Sequence, residues 1–139
     1  MTSPGHPPPR PMPRIDREHA EWWAALRRHE LLVQECPRCG LRVFPPEPAC
    51  PGCRALERGW KRSQGRGRVQ SWVVVRRASH PYFADRVPYA VVLVEMEEGF
   101  RIIGGIECPP EQLRDGLPVD AGFEDVNGQV TLIRFRVAG

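Results

Sequence analysis

Apolar positions in this chain fall mostly into short alternating or continuous runs, and only one stretch repeats at helical spacing. That stretch runs from Arg17 to His29. Trp22, Trp23 and Leu26 form its apolar stripe, Asp16 is placed to cap the first turn, and Arg27, Arg28 and His29 suit the negative C-terminal end of the helix. Two adjacent tryptophans on so short a helix call for burial, against this chain or against another subunit. Beyond it, Leu31 to Glu35 reads as a strand and Leu41 to Phe44 as its return. Pro45-Pro46-Glu47-Pro48 makes a stiff bridge, and Gly59 to Arg62 is a further extended run.

From there the pattern is that of strands to the end. Arg68 to Arg77 alternates Val69, Ser71, Val73 and Val75 against Gln70, Trp72, Val74 and Arg76. Ala78 to Val87 is a loop, Tyr89 to Glu97 the most apolar strand, and Phe100 to Ile106 carries Gly104-Gly105, which suits a barrel corner or bulge. Pro109 to Leu113 allows one helical turn. Val119 to Asp125 and Gln129 to Val137 form a hairpin whose turn is expected at Asn127-Gly128. The sum is a mainly β chain: an N-terminal helix, a four-cysteine zinc ribbon, then a small five-stranded β-barrel of the OB type, with a flat antiparallel sheet as the alternative. Its divisions are a disordered Pro-rich tail or linker over 1–15, the helix over 16–30, the ribbon over 31–62 and the barrel over 63–139.

Four of the five cysteines carry the clearest chemistry. Cys36-Pro37-Arg38-Cys39 and Cys50-Pro51-Gly52-Cys53 are two Cys-x2-Cys turns ten residues apart. Each puts two thiolates at the tip of a tight turn, and two facing tips make the sulfur tetrahedron that Zn²⁺ accepts in a closed structural site. Such a site leaves no position for a reacting water. Iron is the competing metal, since a rubredoxin-like knuckle also offers four thiolates. Cys108 has no cysteine near it and reads as a passive thiol.

Charge adds a partner class. Through Arg77 there are 15 Lys/Arg against 7 Asp/Glu, and from Ala78 onward 5 against 10. A basic half next to the metal turns suggests an anionic partner, a cofactor's phosphates or nucleic acid, or simply a solvated basic face. Lys61 is the single lysine, which argues against Schiff-base chemistry. Among the histidines only His80, in Ser79-His80-Pro81-Tyr82-Phe83, lies in a loop of functional look. No nucleophile–base pair or carboxylate pair is defensible, so catalytic residues are not expected. No run approaches the ~20 apolar residues of a spanning helix. Met1 to Pro13 lacks the apolar segment of a secretory signal, so a cytoplasmic location with reduced thiols is expected.

The order of these features resembles the DUF35 family: the Trp22-Trp23 helix, the four-cysteine knuckles, Gly65-Arg66-Gly67-Arg68-Val69, the His80-Pro81-x-Phe83 loop, Pro88-Tyr89 and the closing Phe123-Glu124 to Arg134-Phe135 hairpin. The resemblance covers about Asp16 to Val137. It implies an OB fold with a rubredoxin-like zinc ribbon, ligated by Cys36, Cys39, Cys50 and Cys53. It also implies a noncatalytic partner role beside thiolase-fold enzymes, including lipid-transfer-type thiolases, where such proteins complete an acyl-CoA site; some serve retro-aldol cleavage of steroid side-chain CoA thioesters. On that reading Arg66, Arg68, Arg76 and Arg77 are candidates for the phosphates of coenzyme A. His80, Phe83 and Tyr89 are candidates for a partner or substrate loop, and Trp22 and Trp23 for a helix interface. The chain would be a free subunit or the tail of a longer polypeptide. The alternative is a single-stranded nucleic-acid binder, which ribbon plus OB barrel also permits; the acidic C-terminal half argues against it.

Overall fold

The computed structural model describes residues 9–139. A 3-10 turn at Arg17–His19 leads into helix α1, Ala20–Arg27. Strands β1 (Leu32–Glu35), β2 (Arg42–Val43) and β3 (Gly59–Arg62) form a small antiparallel sheet ordered β2-β1-β3. Strands β4 (Arg66–Val75), β5 (Tyr89–Met96), β6 (Arg101–Glu107), β7 (Pro118–Asp125) and β8 (Thr131–Val137) close into a barrel in the order β4-β5-β6-β8-β7. Its one parallel pair is β6 with β8; the others are antiparallel. Closure leaves the barrel without a free sheet edge, which decides against the flat-sheet alternative.

One core joins the parts. Val69, Val92, Val94, Ile102, Val119 and Phe135 fill the barrel, and Trp22 and Leu26 of α1 and Val33 of β1 belong to the same cluster. Removing a side chain such as Leu26 or Val33 from water stabilises the fold by ~1.5–3 kcal/mol. Trp22 packs 5.3 Å from the Phe44 ring and donates its indole N–H to the Leu32 carbonyl at 2.9 Å. The other end of the helix is fastened to β7: His29 stacks on Phe123 at 5.1 Å and its Nε2 lies 2.9 Å from Asp125 Oδ1.

Several sequence expectations change in detail. The helix is shorter, and Asp16 makes no side-chain cap. A bulge between Val69 and Ser71 reverses the phase of β4. Val69 points inward with Val94, but beyond the bulge Ser71, Val73 and Val75 share the outer side with Leu93, Val91 and Tyr89. A single alternation through the strand therefore misassigned its second half, because one extra residue flips every side chain after it. Gly104-Gly105 makes no bulge: β6 stays in register with β5, and Gly104 instead lets the strand lie against the Phe135 ring, 3.0 Å from where a Cβ would stand. The β7–β8 connection is longer than the expected two-residue turn. Its loop, Val126 to Val130, is held by the Asn127 side chain, which accepts from the amides of Gln129 and Val130 at 2.8 Å each. The tail over 1–15 was expected to be disordered; residues 1–8 lie outside the described residues, but Arg10 is anchored on the barrel by an ion pair to Glu124 at 2.9 Å.

Candidate functional site

The two cysteine turns are built alike. In the first, the Gly40 amide donates to the Cys36 carbonyl and the Cys36 amide to the Leu41 carbonyl; in the second, Arg54 and Ala55 play the same parts with Cys50. Each turn needs a left-handed residue just after its second cysteine. Gly40 supplies it at φ 76° and Arg54 at φ 65°, a conformation that costs a side-chain-bearing residue more than glycine. The equivalence was half legible, since glycine marks only the first turn.

The ligand atoms of Cys36, Cys39, Cys50 and Cys53 all lie within 4.8 Å of one another. Cys36 Sγ is 3.6 Å from Cys53 Sγ, and Cys39 Sγ is 3.5 Å from Cys50 Sγ. A tetrahedron of sulfurs ~2.3 Å from zinc has edges of ~3.8 Å, so the donor set fits the ion. The thiols are also electrostatically unlike. Backbone N–H groups, that of Cys53 first, bring Cys50 down to about 6. Cys39 receives help from the Leu41 amide but is pushed up to about 12 by its sulfur neighbours, Cys50 first, and by desolvation. Four thiolates at this spacing repel one another unless a cation lies between them. Bound zinc would supply that charge and cross-link the two turns.

The second feature is a groove of about 780 Å³ on the outside of the barrel. Its floor is a hollow rather than a ridge because Gly105 and Gly122 flank Arg134 in the outward row of β6, β8 and β7. Phe83 lies 5.5 Å from Tyr89 and 5.0 Å from Tyr82, making an aromatic wall. Four arginines line it: Arg10, Arg86, Arg134 and Arg136. Arg86 lies over the Tyr82 ring at 4.3 Å. Glu124 holds Arg10, and that hydrogen bond keeps its carboxyl below the usual glutamate range; Glu107 holds Arg134 at 2.9 Å. Arg86 and Arg136 form no ion pair among the described residues.

The expected residues are thus redistributed. Phe83 and Tyr89 meet in the groove. His80 turns away to structural work, its Nδ1 accepting from the Tyr82 amide at 3.0 Å at the start of the 3-10 turn Pro81–Phe83. Arg66 and Arg68 border a different groove, together with Glu95, Glu97 and Asp120. Arg76 and Arg77 follow the opposite end of β4, a strand of ten residues and hence ~30 Å long, so these four arginines do not gather on one phosphate group. Trp22, a candidate for an interface, is consumed by this chain's own core, where it is 7% exposed; Trp23 is half-buried. Sequence reasoning missed Arg10, Arg86, Arg134 and Arg136. The last two alternate around the inward Phe135, which was the available signal, but three of the four groups flanking the hollow come from the half of the chain that composition marks as acidic.

Two family models match, the rubredoxin-like zinc ribbon domain of ChsH2 over residues 23–57 and the C-terminal OB-fold domain of ChsH2 over residues 60–124. A probable enoyl-CoA hydratase alpha subunit of Thermomonospora curvata is 34% identical over 130 residues, which are 93% of this chain and 40% of that protein. The chain therefore spans well under half the length of that relative. A DUF35 domain-containing scaffold protein of Methanocaldococcus jannaschii is 35% identical over 107 residues, 76% of this chain and 75% of the relative. Among solved structures, the Ltp2-ChsH2(DUF35) aldolase has a chain that matches with a TM-score of 0.85 and 32% identity, covering 92% of this chain and 100% of that one. The match to a rubredoxin-like zinc ribbon assigns the four-sulfur cluster to zinc rather than iron.

Proposed function

The chain belongs to the DUF35 family, and from that premise we propose that it is a noncatalytic accessory subunit of a thiolase-like complex. In this role it binds a lipid-transfer-type thiolase and forms one wall of that enzyme's acyl-CoA site. The observation that carries the reading is the outer groove: a glycine-hollowed floor crossed by Arg134 beside an aromatic wall, with two guanidinium groups at its border, Arg86 and Arg136, that form no ion pair among the described residues. Such a surface suits a ligand with a long apolar part and several anionic oxygens. Coenzyme A thioesters are of that kind, and arginine's planar fork binds phosphate oxygens in pairs.

The division of labour follows from the residues present. The groove's side chains hold and orient: Tyr82, Phe83 and Tyr89 offer flat apolar surface, and the arginines offer charge. Among the described residues none that lines the groove is a serine, cysteine, lysine or histidine, and its two carboxylates, Glu107 and Glu124, are tied up in ion pairs with Arg134 and Arg10. The nucleophile or base therefore comes from the partner, and this chain shields the thioester from water. The word aldolase in the name of the solved relative favours retro-aldol cleavage of a CoA thioester; the narrower version takes a steroid side-chain CoA thioester, whose rigid ring system would lie along the hollow.

The test is co-expression with a lipid-transfer-type thiolase of the same source, followed by size-exclusion chromatography and acyl-CoA titration of the complex. Co-elution is expected, with an Arg86→Ala complex that binds acyl-CoA about 5- to 10-fold more weakly, the loss of one charge-assisted contact. Separate elution contradicts the reading.

A further inference from the structure

The outside of the barrel is apolar in one place. Beyond the bulge in β4, Val73 and Val91 stand side by side on the outer surface, followed by Gly105 of β6; the next outward row is Ser71, Leu93 and Ile103. Val73 is 60% exposed and Ile103 66% exposed, and Val91 and Leu93 are half-buried between them. Elsewhere most outer positions are polar, as with Asp120 and Glu124 of β7 and Arg134 and Arg136 of β8, and the apolar Pro118 and Leu132 are half-buried. Helix α1 packs on β8 and β1 rather than here, and no described element covers the patch. A contiguous aliphatic face on a small barrel marks an interaction surface.

Its border decides between occupants. Arg68 and Arg101 flank Glu95 in the row at one end, and Arg76 and Arg77 follow β4 at the other. A second copy docked face to face would set these arginines against one another across a two-fold axis, and like charges so placed cost several kcal/mol. The patch also shares Val91 and Gly105 with the groove, so whatever covers it stands at the mouth of that groove.

We propose that the outer β4–β5–β6 face, centred on Val73, Val91, Leu93 and Ile103, is the docking surface for the thiolase-fold subunit, which meets it with an apolar patch bordered by carboxylates. This rests on the functional reading above and adds the location. Docking there lays the partner across the apolar face and brings its own active-site residues beside Gly105 and the arginine-lined groove.

The experiment is isothermal titration of the lipid-transfer-type thiolase into the wild-type chain and into Ile103→Glu, Val73→Glu and Leu56→Glu. All three positions are well exposed, Leu56 at 78% on the ribbon, so the fold tolerates each change. Expected are at least 30-fold weaker binding for Ile103→Glu and Val73→Glu, unchanged binding for Leu56→Glu, and weakening of wild-type binding by salt. Wild-type affinity in both barrel variants overturns the docking face while leaving the functional reading intact, as does selective loss in Leu56→Glu. Self-association of the chain that Ile103→Glu abolishes makes a second copy the occupant, and tighter binding by a chain lacking residues 1–8 makes that tail the occupant; either overturns the proposal. No wild-type binding at all removes the functional reading first.

Discussion

Glu98 shows how a single carboxylate can tie the two parts of this molecule together. It is 9% exposed, and its oxygens accept from the Ser63 hydroxyl at 2.7 Å and the Gln64 amide at 2.8 Å, while Arg42 of the ribbon donates to its carbonyl at 2.6 Å. Truncating Glu98 to alanine leaves the buried Ser63 hydroxyl, and in part the Gln64 amide, without an acceptor, at a cost of about 2–3 kcal/mol. Thermal denaturation of Glu98→Ala should show a midpoint lowered by about 10 °C, whereas Glu97→Ala, on the exposed neighbour, should be close to wild type. Asp125 makes a pH-dependent contribution. The hydrogen bond from His29 first, then that from Thr131, holds its carboxyl below the usual aspartate range. A depressed folded-state value means that the stabilisation is present above that range and is lost as pH falls through the depressed value. Melts between pH 6 and pH 2 should show a decline at the acid end that is smaller in Asp125→Asn.

At the scale of elements, adjacent glycines of β6 do opposite things. A Cβ on Gly104 would meet the fully buried Phe135 ring at 3.0 Å, while one on Gly105 meets only the Arg134 guanidinium at 3.4 Å. Gly104→Ala should therefore cost ~1–3 kcal/mol in urea denaturation, and Gly105→Ala should be neutral or slightly stabilising. A larger side chain at 105, as in Gly105→Leu, should fill the hollow and weaken acyl-CoA binding by the complex without unfolding the barrel. The strands themselves were legible, because runs such as Tyr89 to Glu97 are continuously apolar over a strand's length and bounded by turn residues. The bulge after Val69 was not legible, since an inserted residue leaves alternation intact on both sides of the slip. The five-residue loop around Asn127 was hidden for another reason: Asn-Gly suits a two-residue turn, but here the asparagine side chain spans a wider one. The four metal ligands were declared by spacing, though the left-handed Arg54 that closes the second turn was not. The groove was not, because Arg10, Tyr82, Gly105, Gly122 and Arg134 come together only through barrel closure.

For the whole molecule, the shared core means that metal and barrel are not independent. Val33 of the ribbon and Trp22 of the helix pack in the same cluster as Val92 and Phe135, so loosening the cysteine turns is felt beyond them. Cys50→Ser, or removal of zinc by a strong chelator, should lower the thermal midpoint by about 10 °C or more in one transition. A barrel that melts unchanged would mean that the ribbon is an appendage. A stable, zinc-stapled frame with an apolar outer face and an arginine-lined hollow is suited to completing another protein's site. The most direct measurement of that claim is acyl-CoA turnover by this chain alone, by the lipid-transfer-type thiolase alone, and by the two at equal concentration. The account predicts no turnover for the first, little for the second and at least a tenfold gain for the mixture; turnover by this chain unaided, or a mixture no faster than the thiolase alone, would contradict it.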